Sequence, residues 1–424
     1  MTRRAGSGSL PSRTMASVSK SRDSLVSEVG NWVSGDRFWG REGDVQELSR
    51  LLRDGANVSI TAPRRIGKTS LMREVARQLE GEFLAIHVDL QSAMTPEDVV
   101  AELAVASREH RDLHRRVLDI FRAKIGAVEQ LEYGEIAMRI RSAAATNWQG
   151  NADRLLAEFV DNQPPVVVYI DELAILVSRL LHGPELTLTP AGIAAVDQLM
   201  SWLRHATIHY TRKIRFVIAS SIGLAPVLSR ARLSATINTF TRFELPPWDH
   251  ATTLGALRAL ANASHIAWAQ DAPEAVVERL GVCIPHHVQV FWGHLQLDAR
   301  RHNVFRITAN DVERVFRADM LGSAGHAELS HYEERLAFSL GSQLLPLAID
   351  LLSEAAIAGP LTIPAVQQLA ADFTPQQLRE VLGTLLHDGY LHLENDVYSF
   401  PSSFLREWWK ARHSSSHRTL AKRG

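Results

Sequence analysis

The chain has 424 residues, 46% hydrophobic and 22% charged, enough for two or three packed domains rather than one small module. Lys plus Arg total 46 against 47 Asp plus Glu, so no global field draws it to nucleic acid or to an anionic membrane. Its single cysteine, Cys283, excludes an intrachain disulfide framework, and with no bilayer-length apolar run or secretion segment the reading is cytoplasmic, with no membrane partner.

Residues 1–30 are rich in Ser, Arg and Gly and read as a disordered tail. Val45, Leu48, Leu51 and Leu52 recur at helical spacing and predict a helix over 42–52. A strand over 57–61, a turn and a helix over 70–79 follow. A second strand occupies 83–90, and a mostly helical stretch, capped by Thr95-Pro96-Glu97, runs to about 162 with breaks at Gly134 and Gly150. The run Val166-Val167-Val168-Tyr169-Ile170 is too β-branched and too continuously apolar for anything but a central strand, and 215–219 is another. Strands alternating with helices predict a parallel α/β sheet with ligands at the carboxyl ends of its strands.

Pro246-Pro247 marks a boundary, after which helices are expected over 251–261, 273–280, 285–300 and 309–317, without a strand of weight. Helices over 345–358, 363–371 and 375–388 precede a hairpin over 390–394 and 397–400, the order of a winged helix. A last helix closes at Trp408-Trp409. The expected division is a tail (1–30), an α/β domain (31–245), a helical lid (246–325), a winged-helix domain (326–412) and a basic tail (413–424).

Ala62-Pro63-Arg64-Arg65-Ile66-Gly67-Lys68-Thr69, continued by Ser70, matches a phosphate-binding loop except that Ala62 stands where the first glycine belongs. Backbone N–H groups would wrap the phosphates of ATP, Lys68 would reach the β/γ-phosphates and Thr69 would offer a hydroxyl to Mg²⁺. Asp171-Glu172 follow the central strand, where an uncompensated carboxylate costs several kcal/mol. A metal role for Asp171 and a general-base role for Glu172 account for both. The alternatives are an ordinary basic turn and a pair of solvated acids capping a helix. Ser220-Ser221 follow the 215–219 strand, and Ser221 could position the lytic water or sense the γ-phosphate. Arg230 or Arg232 could act as an arginine finger on a neighbouring subunit of a nucleotide-dependent homo-oligomer. His205 and His209 stand four apart on a helix but lack a third ligand, and the tryptophans read as packing.

The chain resembles the signal-transduction ATPases with numerous domains (STAND), an AAA-like branch of the additional-strand (ASCE) P-loop ATPases, and in particular their prokaryotic archaeal-type members. The resemblance covers roughly 38–409. Its carriers are Phe38-Trp39-Gly40-Arg41-Glu42, the loop through Leu71, Asp171-Glu172, Ser221-Ile222-Gly223-Leu224, Pro285-His286-His287, His387-Asp388-Gly389-Tyr390 and Tyr398-Ser399-Phe400. It implies a P-loop NTPase α/β fold with helical lid and C-terminal winged helix. It also places Gly40 and Arg41 near the adenine and ribose, makes Ser221 the first sensor and sets Pro285 and His286 against the nucleotide. Ala62, Ser220 and Cys283 depart from the glycines common in relatives.

The winged-helix stretch 361–412 holds four basic residues against six acidic, the reverse of a phosphate-neutralising surface. A protein partner is therefore favoured over DNA, which the Arg418, Lys422 and Arg423 tail could still touch. The leading expectation is a Mg²⁺-dependent ATPase switch. Its rivals are an ATP-gated DNA-binding regulator or initiator-like loader, and a nucleotide-binding scaffold with negligible turnover.

Overall fold

The computed structural model describes residues 23–125, 133–183 and 187–423. Helix α1 (Glu42–Arg53) precedes strand β1 (Asn57–Thr61), and α2 (Lys68–Gln78) precedes β2 (Leu84–Asp89). Four helices come next: α3 (Pro96–Ala106), α4 (Arg111–Ile125), α5 (Tyr133–Ala144) and α6 (Trp148–Val160). A capping box between Thr95 and Asp98 starts α3, as Thr95-Pro96 predicts. Gly134 and Gly150 lie just inside the new helices that start at Tyr133 and Trp148, beside the expected breaks. Each lies in a first helical turn, where the Gly150 N–H donates to Asn147 Oδ1 at 3.0 Å.

Then come β3 (Val166–Asp171), α7 (Leu173–Leu181), α8 (Pro190–His209), β4 (Ile214–Ala219), α9 (Leu224–Arg230) and β5 (Phe240–Glu244). The strands form one parallel sheet in the order β2-β3-β4-β1-β5, so β4 is inserted between the loop-bearing β1 and the acid-bearing β3. Alternation along β3 splits its apolar run between two cores. Val166, Val168 and Ile170 pack with α3, α6, α7 and α8, whereas Val167 and Tyr169 pack with α1 and α2. Strand β5 had no sequence signal because only Phe243 is buried while Thr241, Arg242 and Glu244 are exposed, as suits an edge.

The lid contains α10 (His250–Ala263), α11 (Ala272–Leu280), α12 (Pro285–Arg301) and α13 (Ala309–Val315). It is not purely helical, since β6 (Ala267–Trp268) and β7 (Arg306–Ile307) pair in parallel. Helix α14 (Ser323–Ile357) begins more than twenty residues before the expected helix at 345. It is interrupted at Gly341 (φ 68, ψ 174), which frees the carbonyls of Phe338 and Ser339 from their helical partners. Ser178 Oγ (2.7 Å) and Arg230 Nη1 (2.5 Å) donate to these two carbonyls. The 325–357 stretch is long and apolar enough to cross a membrane, contrary to the sequence expectation. Here Leu329, Leu336, Leu340, Leu344, Leu347 and Leu351 pack into a core shared with the lid and the C-terminal elements.

Those elements are β8 (Leu361–Thr362), α15 (Ile363–Leu369), α16 (Pro375–His387), β9 (His392–Glu394), β10 (Val397–Ser399) and α17 (Ser403–His413). The three strands form an antiparallel sheet in the order β8-β10-β9. Two terminal expectations need correction. Residues 1–22 lie outside the described residues, but Leu25 is 2% exposed and its N–H donates to Ala259 O, so the tail is docked well before Trp32. At the other end the His417 ring lies 2.8 Å from Glu354 and 3.4 Å from Asp350, which fixes a segment expected to fray.

Phe216 on β4 is fully buried, so Phe216→Ala should cost about 3–5 kcal/mol in urea unfolding. Ile208→Ala, at a side chain 57% exposed on α8, should stay within about 0.5 kcal/mol.

Candidate functional site

The carboxyl ends of β1 to β4 converge on a cavity of about 470 Å³ whose lining includes Arg64–Ser70 of the loop, Asp89, Asp171, Glu172 and Ser221. The first turn of α2 opens onto the loop, so its unpaired N–H groups face the cavity. Gly67 (φ 98) and Arg65 (φ 65) both take the left-handed backbone that wraps the loop, and buried Ile66 anchors its tip. Ala62 is not among the positive-φ residues, which explains how it replaces a glycine without strain.

Lys68 is 6% exposed, and its ammonium donates to the carbonyls of Ala62 (3.0 Å) and Pro63 (2.9 Å). Burial pushes it down to about 8 despite the pull of Glu172 and Asp171. Thr69 Oγ1 donates to Asp171 Oδ2, across 102 residues of sequence. Burial, then Glu172, raise the Asp171 carboxyl above its usual range, against the Thr69 bond and Lys68.

Glu172 takes a left-handed backbone (φ 60, ψ 27), a costly state for a non-glycine residue, between β3 and α7. Its Oε2 accepts from Ser221 Oγ (2.6 Å), Ser221 N (2.9 Å) and Ser220 Oγ (3.2 Å). Burial alone would raise Glu172. The Ser221 bonds, with Arg335 and Lys68, outweigh it and hold the carboxyl below its usual range. The reading of Asp171 and Glu172 as solvated helix caps is therefore not what the structure contains: both line the cavity.

Gly40 and Arg41 lie on the other flank. Gly40 (φ 64) is required, because a Cβ there would stand 2.3 Å from Thr252 Cγ2 of the lid. Arg41 is buried, and its guanidinium donates to Ile66 O (3.3 Å) and Asp44 (3.2 Å), so it braces the loop from behind. Pro285 and His286 line the cavity from α12, with His286 Nε2 2.7 Å from Glu328 Oε2, which also faces Arg65 at 3.8 Å. Arg230 caps α14 and lies 3.9 Å from Glu380, so it is engaged within its own chain rather than presented to a neighbour. His205 and His209 stack with each other at 5.4 Å, and no group of three metal-ligating side chains occurs among the described residues.

Sequence reading missed four contributors. Asp89 ends β2 in register with Asp171, but lone acids end many strands. Trp248 packs in the buried core, as expected, and also lines the cavity with its buried Nε1 unpartnered. Residues 28–33 form a strap over the cavity mouth, tied to the lid through Glu28 N to Gln289 Oε1 (2.8 Å) and to α2 through Val33 N to Ser70 Oγ (3.0 Å). Arg335, from the unexpected first half of α14, donates to Ser221 Oγ. The C-terminal elements also reach the site, where Asp388 Oδ1 accepts from Gly223 N at 3.1 Å and a Cβ on Gly389 would stand 3.3 Å from Pro63.

No family model and no curated protein matches the sequence. Solved structures match by fold. The Aeropyrum pernix ORC2 protein, solved as ADPNP–ADP complexes, aligns over 89% of this chain and 95% of its own at 14% identity, with a TM-score of 0.49. The RuvB Holliday junction branch migration motor of Thermotoga maritima aligns over 91% and 98% at 14% identity, with a TM-score of 0.42. The Walker-type ATPase PABY2304 of Pyrococcus abyssi aligns over 90% of this chain and 99% of its own at 14% identity, with a TM-score of 0.58. That last likeness, together with the strand order and the loop after β1, shows that the chain has the fold of a P-loop ATPase of the additional-strand type.

Proposed function

We propose that the chain binds Mg·ATP in this cavity, hydrolyses it, and uses the nucleotide state to control how the lid and C-terminal elements sit on the α/β core. The observation that carries this reading is the assembly at neighbouring strand ends of Lys68, the Thr69–Asp171 pair and the Glu172–Ser221 pair.

The loop from Ala62 to Ser70 would cradle the phosphates with its backbone N–H groups, and Lys68 would turn from the Ala62 and Pro63 carbonyls to the β/γ-phosphates. Gly40, Arg41, Pro285, His286 and the unpartnered Trp248 Nε1 would frame the base and sugar. Thr69 and Asp171 form a hard oxygen pair, and the raised Asp171 carboxyl is the sign of a partly buried acid that a cation would relieve, so the residues fit Mg²⁺. Bound there, the ion would neutralise phosphate charge. Glu172, kept ionised by Ser221, would orient a water toward the γ-phosphorus and take its proton as the bond to the β–γ bridging oxygen breaks, giving ADP and inorganic phosphate.

The switch part of the proposal is supported by the contacts of Asp388 and Gly389 with the sensor strand and loop. A protein partner is favoured over DNA for the C-terminal elements, read as a winged helix of a STAND-type switch. Their basic side chains Arg406 and Arg412 are already paired with Glu407 and Glu333.

Lys68→Ala should weaken ATP binding by about ten- to a hundredfold in titrations with a fluorescent ATP analogue. Glu172→Gln should keep binding and lower kcat by roughly 10²–10⁴. Retained turnover in Glu172→Gln would remove the base assignment, and wild type that binds ATP without turnover at any protein concentration would restore the scaffold reading. Chelating Mg²⁺ should abolish phosphate release. Asp388→Ala should speed hydrogen exchange at the Gly223 amide by about tenfold or more, and ATP and ADP should protect that amide differently. Identical protection with both nucleotides would argue against the switch.

A further inference from the structure

We infer that Arg335, carried by α14 outside both the loop and the lid, is a γ-phosphate ligand, so that the helix leading into the C-terminal elements is itself part of the nucleotide site. This rests on the proposed ATP site and deepens it.

Three observations carry the inference. First, the Arg335 guanidinium donates to Ser221 Oγ, the same hydroxyl that donates to Glu172 Oε2 at 2.6 Å. Arginine, serine and glutamate thus form one chain of hydrogen bonds just beyond the end of β4. Second, cationic side chains crowd there, and Glu172 and Asp171 answer them only in part. Arg335 and Arg65 both act on Arg64, Arg335 also acts on Lys68, and among the described residues only Arg65 of the three arginines pairs with a carboxylate, Glu328 at 3.8 Å. Arg64 is pushed down to about 10 by burial and then by Arg335 and Arg65, and the nearby His331 is lowered by burial and by the same three arginines. Gathering like charges in a partly buried place is unfavourable unless an anion compensates them, and the terminal phosphate of ATP carries the charge and the oxygens that planar guanidinium groups bind.

Third, α14 is pinned where this role requires. On successive turns Tyr332 O accepts from Tyr390 OH at 2.6 Å, and the carbonyls of Phe338 and Ser339 accept from Ser178 and Arg230. These bonds hold the helix on both sides of Arg335, against the C-terminal elements at Tyr332 and against the α/β core at Phe338 and Ser339. A residue needed only to brace Glu172 would not need three further cations around it.

A γ-phosphate ligand discriminates ATP from ADP, whereas a residue that merely positions Glu172 through Ser221 does not. The test uses the full chain carrying Glu172→Gln, so that ATP persists, and compares ATP and ADP dissociation constants with and without Arg335→Gln or Arg335→Lys. Folding of each variant is monitored by its melting temperature. The expected result is an ATP affinity weakened by about ten- to a hundredfold by Arg335→Gln with ADP affinity changed less than about threefold, and a partial return in Arg335→Lys. An ATP-to-ADP ratio that stays the same in both folded variants, while the Glu172→Gln parent still binds ATP, overturns the role of Arg335 and leaves the ATP site standing. A parent that binds neither nucleotide overturns both.

Discussion

Two carboxylates stand side by side where a fully buried strand meets the cavity, and the surrounding structure answers the cost of putting them there. Asp171 is held by the Thr69 hydroxyl from the loop, and Glu172 by two serines from the neighbouring strand. Neither arrangement exists without β4 lying between β1 and β3. The sheet order, the left-handed backbone at Glu172 and the buried Lys68 thus serve one requirement: charge at the edge of an apolar core must be met by oppositely charged or hydrogen-bonding groups.

The same requirement reaches beyond the sheet. Lid, strap and C-terminal elements all bring polar contacts to the rim, through His286, Glu28, Asp388 and Arg335. The cavity is consequently framed by segments far apart in the chain, each belonging to a different part of the molecule. A ligand touching all of them would be held by several parts of the chain at once.

What the sequence disclosed follows from how each signal arises. Strands β3 and β4 are buried on both faces and announce themselves by composition, and the loop announces itself because backbone wrapping and charge need particular residues at fixed spacing. Strand β5 stayed hidden because an edge strand tolerates charge. The first half of α14 stayed hidden although Leu329, Tyr332, Leu336 and Leu340 carry the helical period, because Ser, His and Glu between them dilute the apolar signal. Hence Arg335 could not be placed from sequence. Nothing local marks an arginine as the partner of a serine 114 residues away. Arg230 illustrates the converse, since its position suggested an intersubunit role while its geometry gives it to the end of a helix in the same chain.

The interruption at Gly341 lets one helix serve as a joint between parts of the molecule. The helical segment that ends there is closed by Ser178 and Arg230, both of which belong to the α/β core and precede it in the chain. That segment is held from the other side by the C-terminal elements, through Tyr390 on Tyr332 O and through Arg412 beside Glu333, while the segment beyond Gly341 meets Trp409 and His417. One stretch of helix thereby joins three parts of the chain, and the glycine marks the place where the capping bonds from the α/β core fall.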